Sequence, residues 1–127
     1  MAHQTVRHSR PRFLEQCQPP DAAPTAECPV EITLAMLRGR WTPLLLGEFF
    51  RHGERTYSQL SKTLSALSDK VLSDRLAQLT AAGVLTRIRT AAYPPRVSYT
   101  LTERGQSLRP VIETLWDWGN DTGRSVE

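Results

Sequence analysis

A chain of 127 residues with 39% hydrophobic and 23% charged content suits one compact domain with a tail. No apolar run approaches the roughly 18 residues that span a bilayer, and residues 1–18 lack the apolar stretch of a secretory signal, so a cytoplasmic protein with no membrane partner is expected. Two cysteines in unlike surroundings do not make a disulfide framework, and the absence of a C-x-x-C or His/Cys cluster leaves no expected metal or other cofactor. The formal net charge of +3 is only mildly basic, so a polyanionic partner has to be argued from where the charges sit.

Residues 1–26 carry three arginines, two histidines and four of the nine prolines, with few large apolar residues and no clear period. A flexible tail over 1–27 is expected. Arg7, Arg10 and Arg12 could form an arm on phosphate, but Glu15, Asp21 and Glu27 offset their charge within the same segment, which favours a plain solvated tail. The globular part is expected over 28–123, with a short C-terminal tail at 124–127.

From Pro29 the pattern turns helical. Pro29 suits a first turn, Val30, Leu34 and Leu37 recur at i, i+4 and i+7, and Gly39 ends the run. Thr42 can cap a second helix with Pro43 in its first position; Leu44, Leu45, Leu46, Phe49 and Phe50 make it apolar nearly all round, a central core helix that Gly53 stops. Arg55 can add a short strand residue beside a later hairpin. Thr56-Tyr57-Ser58-Gln59 fits a capping box, and Tyr57, Leu60 and Leu64 give the next helix one apolar stripe. After a short turn, Ser68 can cap a further helix, with Leu67 and Leu72 spaced as a hydrophobic staple.

In that helix Leu72, Leu76 and Leu79 form the buried stripe, which turns Asp69, Lys70, Ser73, Asp74 and Ala77 outward. Short polar side chains near a helix start suit close approach to a major groove, though the same face equally describes a solvated helix. Gly83 is a left-handed cap that releases the chain into a strand carrying Leu85, Arg87 and Arg89 on one face. The returning strand places Val97, Tyr99 and Leu101 on the core side and Arg96 on the other. Between them Ala91-Ala92-Tyr93-Pro94-Pro95 forms a tip stiffened by two prolines. Three arginines around a stiff tip, next to a capped helix pair, favour double-stranded DNA as partner. The fold expected is mainly α with a small β-hairpin, a winged helix-turn-helix. The candidate DNA-binding residues are Thr56, Ser58, Gln59, Ser68, Lys70, Ser73, Asp74, Arg87, Arg89 and Arg96.

Cys28-Pro29-Val30-Glu31, Gly39-Arg40-Trp41, Leu67-Ser68, Leu72 with Leu76 and Leu79, Gly83, Arg87, Pro94-Pro95-Arg96-Val97 with Tyr99, Leu101-Thr102-Glu103 with Gly105, and Leu108-Arg109-Pro110-Val111 together resemble the HxlR-type bacterial regulators, winged helix-turn-helix proteins related to the MarR group. The resemblance covers about residues 28–119. It implies a homodimeric, sequence-specific transcription regulator. The tail is longer than the family's usual lead, and Pro43 falls where the family commonly has another residue.

The last helix, capped by Thr102, also argues for a homodimer. Leu108, Val111, Ile112, Leu115, Trp116 and Trp118 cover more than the one stripe a monomer core needs, and Pro110 is expected to kink the helix. Cys28 precedes Pro29 at a helix start, where the dipole favours a thiolate. Several HxlR-type regulators use an N-terminal cysteine at this motif against oxidants or electrophiles, so the resemblance makes Cys28 a redox-sensing candidate and an oxidant or small molecule a candidate effector; a buried packing role is the alternative. Cys17 is either incidental or a resolving thiol. Aromatic residues Trp41, Tyr57, Trp116 and Trp118 suit core packing better than a ligand pocket.

Catalysis is not expected: His3 and His8 lie in the tail and His52 at a helix end, and no phosphate loop or HExxH occurs. The rival to a DNA-binding regulator is a winged-helix module that binds another protein through the same surfaces, without sensing chemistry.

Overall fold

The structure, a computed structural model, describes residues 12–17, 23 and 27–126, and for 122–126 the backbone alone. Arg7 and Arg10 of the expected arm, His3 and His8 lie outside the described residues. The chain divides into two compact units, 1–38 and 39–127.

In the first unit, α1 (Arg12–Gln16) precedes Cys17, and α2 (Pro29–Leu37) follows Cys28 directly. The stretch expected as a flexible tail holds a helical turn at Arg12–Gln16. It also holds a covalent tie, because Cys17 and Cys28 are joined in a disulfide with their Cα atoms 5.2 Å apart. This corrects the expectation that the two cysteines form no disulfide, and of the two readings of Cys17 it agrees with the resolving thiol: both cysteines are buried and bonded to each other. In the loop-entropy picture a bridge over so short a loop is worth roughly 3 kcal/mol to the ordered state. The apolar stripe of α2 buries only Leu37; Val30, Ile32 and Leu34 stay exposed, as do Phe13 and Leu14 of α1.

The second unit opens on Gly39, Arg40 and Trp41. Trp41, not Thr42, is the N-cap of α3 (Thr42–His52), and it holds the left-handed φ of 80°. Thr42 is fully buried inside the helix and Pro43 falls on its second position, where a missing N–H costs nothing. Leu45, Leu46 and Phe49 form the centre of the core. Leu44 is exposed, so α3 has a solvent side that its apolar sequence did not disclose. Gly53 ends it as expected.

The strands β1 (Arg55–Thr56), β2 (Leu85–Thr90) and β3 (Arg96–Leu101) form an antiparallel sheet in the order β1-β3-β2. Arg55 pairs with Tyr99 and Thr56 with Ser98. The hairpin register runs from Leu85 opposite Leu101 to Thr90 opposite Arg96, leaving 91–95 as the tip with Tyr93 almost fully exposed. Beneath the sheet lies a polar cluster that hydropathy does not announce. Arg55 Nη2 donates to Thr63 Oγ1 at 3.1 Å and lies 3.5 Å from Oε1 of the nearly buried Glu48, while Ser98 Oγ donates to Glu54 Oε2 at 2.5 Å. These partners satisfy the Arg55 Nη2 and Ser98 hydroxyl donors that burial would otherwise penalise, while Arg55 Nε is buried without a hydrogen-bond partner among the described residues.

Two helices lead to the hairpin. In α4 (Tyr57–Thr63) the capping box is complete: the Gln59 N–H donates to Thr56 Oγ1 at 3.1 Å and the Thr56 N–H to Gln59 Oε1 at 2.9 Å. In α5 (Asp69–Ala81) the Val71 N–H donates to Ser68 Oγ at 3.2 Å, and Leu72, Leu76 and Leu79 are buried, with Leu67 buried before the cap. The end of α5 is a Schellman motif: Gly83, at φ 78°, donates to the Thr80 carbonyl and Val84 to that of Leu79, and Leu79 and Val84 are both buried.

The C-terminal region is two helices, not one kinked helix. Thr102 caps α6 (Glu103–Gln106), accepting the Gly105 N–H, and the chain breaks at Ser107 and Leu108 before α7 (Arg109–Val126). Pro110 therefore sits in the first turn of α7, where no intrahelical hydrogen bond exists for it to delete, and the expected kink is absent. Thr102 also donates to the Gly83 carbonyl at 2.6 Å and its N–H to that of Val84 at 3.0 Å, fastening the root of the hairpin to the end of α5. No helix among the described residues is long and apolar enough to cross a membrane.

Candidate nucleic-acid interface

The outward side of α5 and the face of the hairpin carrying Arg87 border one shallow groove of about 370 Å3, lined by Ser73, Ala77, Thr80 and Ala81 from the helix and Arg87 and Tyr99 from the sheet. The register explains how an arginine comes to share a face with the core: Arg87 pairs with Tyr99 and Arg89 with Val97, one and two steps out from the buried Leu85. A second groove of about 320 Å3 lies between the start of α4 and the outer half of the hairpin, lined by Thr56, Tyr57, Ser58, Gln59, Pro95, Arg96 and Val97. The candidate residues thus divide into two groups, Ser73 with Arg87, and Thr56, Ser58 and Gln59 with Arg96. Ser68, Lys70, Asp74 and Arg89 line neither groove, although Lys70, Asp74 and Arg89 are exposed on the same elements.

The charges differ in how they are held. Arg87, Arg89 and Arg96 are exposed, and among the described residues none of them makes an ion pair. Lys70 instead pairs with Asp74 across one helical turn, Nζ to Oδ2 at 3.1 Å, with both side chains largely in water. Such an exposed pair contributes little to stability, but it neutralises the α5 surface locally. Ser68 is committed to its capping bond and Thr56 and Gln59 to the capping box, so all three act first as helix builders.

Two contacts were missed from the sequence. Tyr57, expected as an apolar stripe residue of α4, places its hydroxyl 3.3 Å from Ser73 Oγ and 3.3 Å from the Asp69 carbonyl oxygen, with Asp69 Oδ1 at 3.4 Å, so it binds one flank of α5. On the opposite flank Arg75 donates from Nε to the Arg40 carbonyl at 3.4 Å. A tyrosine at the first position of one helix and an arginine three residues past a buried leucine are the only signals, and neither is specific.

On α7, Val111, Leu115, Trp116 and Trp118 are exposed and Ile112 is half-buried, whereas Leu108 is taken up by the core of its own chain. Arg109 sits over the Phe50 ring at 5.9 Å. Among the described residues no group of His, Cys, Asp and Glu is arranged to hold a metal ion.

The family model described as HxlR-like helix-turn-helix matches residues 36–127. Over 94 residues the chain is 37% identical to the HTH-type transcriptional regulator sll1512 of Synechocystis, covering 74% of this chain and 69% of that one. Among solved structures it is similar to the HTH-type transcriptional regulator ytcD, with a TM-score of 0.69, 33% identity and coverage of 76% and 97%. It is also similar to the redox regulator HypR in its oxidised form, with a TM-score of 0.66, 30% identity and coverage of 74% and 96%. A three-stranded sheet with a wing, a capped α4–α5 pair and relatives of this kind define a winged helix-turn-helix transcriptional regulator of the MarR-like class. The chain belongs to the HxlR-like helix-turn-helix family.

Proposed function

We propose that the protein is a cytoplasmic regulator that binds double-stranded DNA as a homodimer, with α5 in the major groove and the hairpin along the flanking backbone. The observation that carries this reading is the common groove of Ser73, Ala77 and Arg87, which sets a polar helix face and an unpaired arginine side by side. Helix side chains of this size approach base edges, and the guanidinium beside them meets phosphate. Thr56, Ser58 and Gln59 with Arg96 provide a second backbone contact; Ser68, Lys70, Asp74 and Arg89 complete the surface.

The exposed Val111, Leu115 and Trp116 of α7, with Trp118 and Ile112, supply the dimer seam, since a cluster of large apolar side chains at a helix surface marks an association site. A two-fold axis would then place two copies of α5 about one DNA turn apart, on a roughly palindromic site.

The Cys17–Cys28 disulfide supports a response to oxidants. A peroxide or hypochlorite oxidises one thiol to a sulfenic acid, itself being reduced, and the second thiol displaces water to form the bridge. The bridge ties α1 to the start of α2, so the two redox states differ in the order of the first unit.

The test is equilibrium binding of the full chain to fluorescent duplexes across a range of salt, with and without reductant, on sites recovered by genome-wide capture of bound DNA. A steep loss of affinity with salt is expected. The absence of duplex binding at low salt would leave the protein-binding module as the better reading.

A further inference from the structure

We infer that Arg75 is the positioning residue that sets how the recognition helix is turned about its own axis, and that it does so against the Gly39–Trp41 loop. The inference rests on the DNA-binding reading of α5. The apolar stripe of Leu72, Leu76 and Leu79 holds α5 to the core, but leucine packing is non-directional and tolerates a small roll. Directional contacts lie on the two flanks. Tyr57 grips the flank of Asp69 and Ser73, and Arg75, about 160° round the helix from Ser73 at 100° per residue, grips the other.

The Arg75 end is built with little freedom. Its Nε donates to the Arg40 carbonyl at 3.4 Å, and its guanidinium lies so close beneath Gly39 that a Cβ there would come within 2.6 Å of Cζ and of Nε. Gly39 has a φ of 103° and Trp41 one of 80°, so two of three consecutive residues hold left-handed backbone to present that carbonyl. Arg40, whose carbonyl is used, has its own guanidinium over the Trp41 ring at 4.9 Å. A loop of this conformation, held against one arginine of the reading helix, fixes a rotation that the core leaves loose. Side-chain tips ride roughly 5 to 6 Å from a helix axis. A roll of about 15° therefore moves them by about 1.4 Å, enough to take a base contact out of hydrogen-bond range.

The test uses the full chain, a duplex selected by the wild type from a random pool, and an unselected duplex of equal length. Arg75→Ala and Arg75→Lys should each reduce the ratio of selected to unselected affinity at least tenfold, while unselected binding and its salt slope stay at the wild-type values. Lysine keeps the charge but lacks the Nε donor and the planar fork. A ratio within twofold of wild type for both variants overturns the inference. So does Arg75→Lys behaving as wild type while Arg75→Ala loses affinity for both duplexes with a shallower slope, which makes Arg75 a phosphate contact. Thermal melting of each variant identifies loss of fold, in which case Gly39→Ala, which strains the left-handed loop and crowds the guanidinium while leaving it present, must reproduce the loss of preference without loss of fold for the inference to stand. A wild type that selects no duplex sinks the DNA-binding reading itself, an outcome separate from these.

Discussion

Replacing the hairpin arginines tests the interface where its electrostatics are simplest. Arg87, Arg89 and Arg96 are exposed and unpaired among the described residues, so each can neutralise a phosphate without first breaking an ion pair. Each phosphate contact contributes about 0.9 to the slope of log K against log salt, so Arg87→Ala, present twice in a dimer, should lower the slope by about 1.8. At ~0.1 M salt the same counterion term corresponds to a loss of roughly 60-fold in affinity. All three arginines in both protomers account for a slope of about 5.4, so the wing alone should make wild-type affinity fall roughly a thousandfold or more between 50 and 200 mM salt. Fluorescence anisotropy on an unselected duplex at four or five salt concentrations measures both quantities. If the triple alanine variant, folded by circular dichroism, kept the wild-type slope, the wing would lie off the DNA and the groove of Ser73 and Arg87 would have no part in binding.

Lys70→Ala should weaken the selected site more than random duplex, by roughly 1 to 3 kcal/mol if the lysine reads a base; equal losses on both would limit it to the backbone. Leu115→Glu should convert a sedimenting dimer to monomer and abolish operator binding with it, and a dimer that survives this charge would move the seam elsewhere. Cys28→Ser should abolish the oxidant response of operator affinity, and mass spectrometry of the wild type cleaved after Glu27 should find the Cys17 and Cys28 peptides joined by a disulfide. Equal affinity of the bridged and reduced wild type would reduce the disulfide to a structural staple.

What was legible in the sequence was local. The capping box at Thr56, the Ser68 cap, the Gly83 stop and the leucine stripe of α5 each involve residues within a few positions of one another, and each has the expected geometry. The faces of the two hairpin strands followed from alternation around a proline tip, whereas their cross-strand pairing was not read from the sequence. Errors arose where a local rule had two solutions: Thr42 and Trp41 both precede Pro43, and only the left-handed backbone of Trp41 decides which caps α3. Pro110 was read as a kink because no signal marked the break at Ser107 that places it in a first turn. The long-range contacts on the two flanks of α5 were not legible at all. Arg75 and Arg40 are 35 residues apart and Tyr57 and Ser73 16, and neither pair has a spacing rule. The pairing of Cys17 with Cys28 is of the same kind, since two thiols in a proline-rich stretch fix no geometry until the chain between them is folded.

The Lys70–Asp74 pair has a bearing on how quickly such a regulator finds its site. A genome offers about 10⁶ to 10⁹ competing positions, and time spent on each grows with the charge the protein sets against phosphate. With Lys70 answered by Asp74, the helix that would read bases adds little to that residence, and the encounter is left to arginines on the hairpin. On the proposed reading, the searching complex would be held at its edge while its reading surface stayed disengaged, free to test each groove in passing. Asp74→Asn would remove this restraint and should slow transfer between duplexes while tightening binding to random DNA, a trade of search speed for grip that a competitor-chase experiment would read directly.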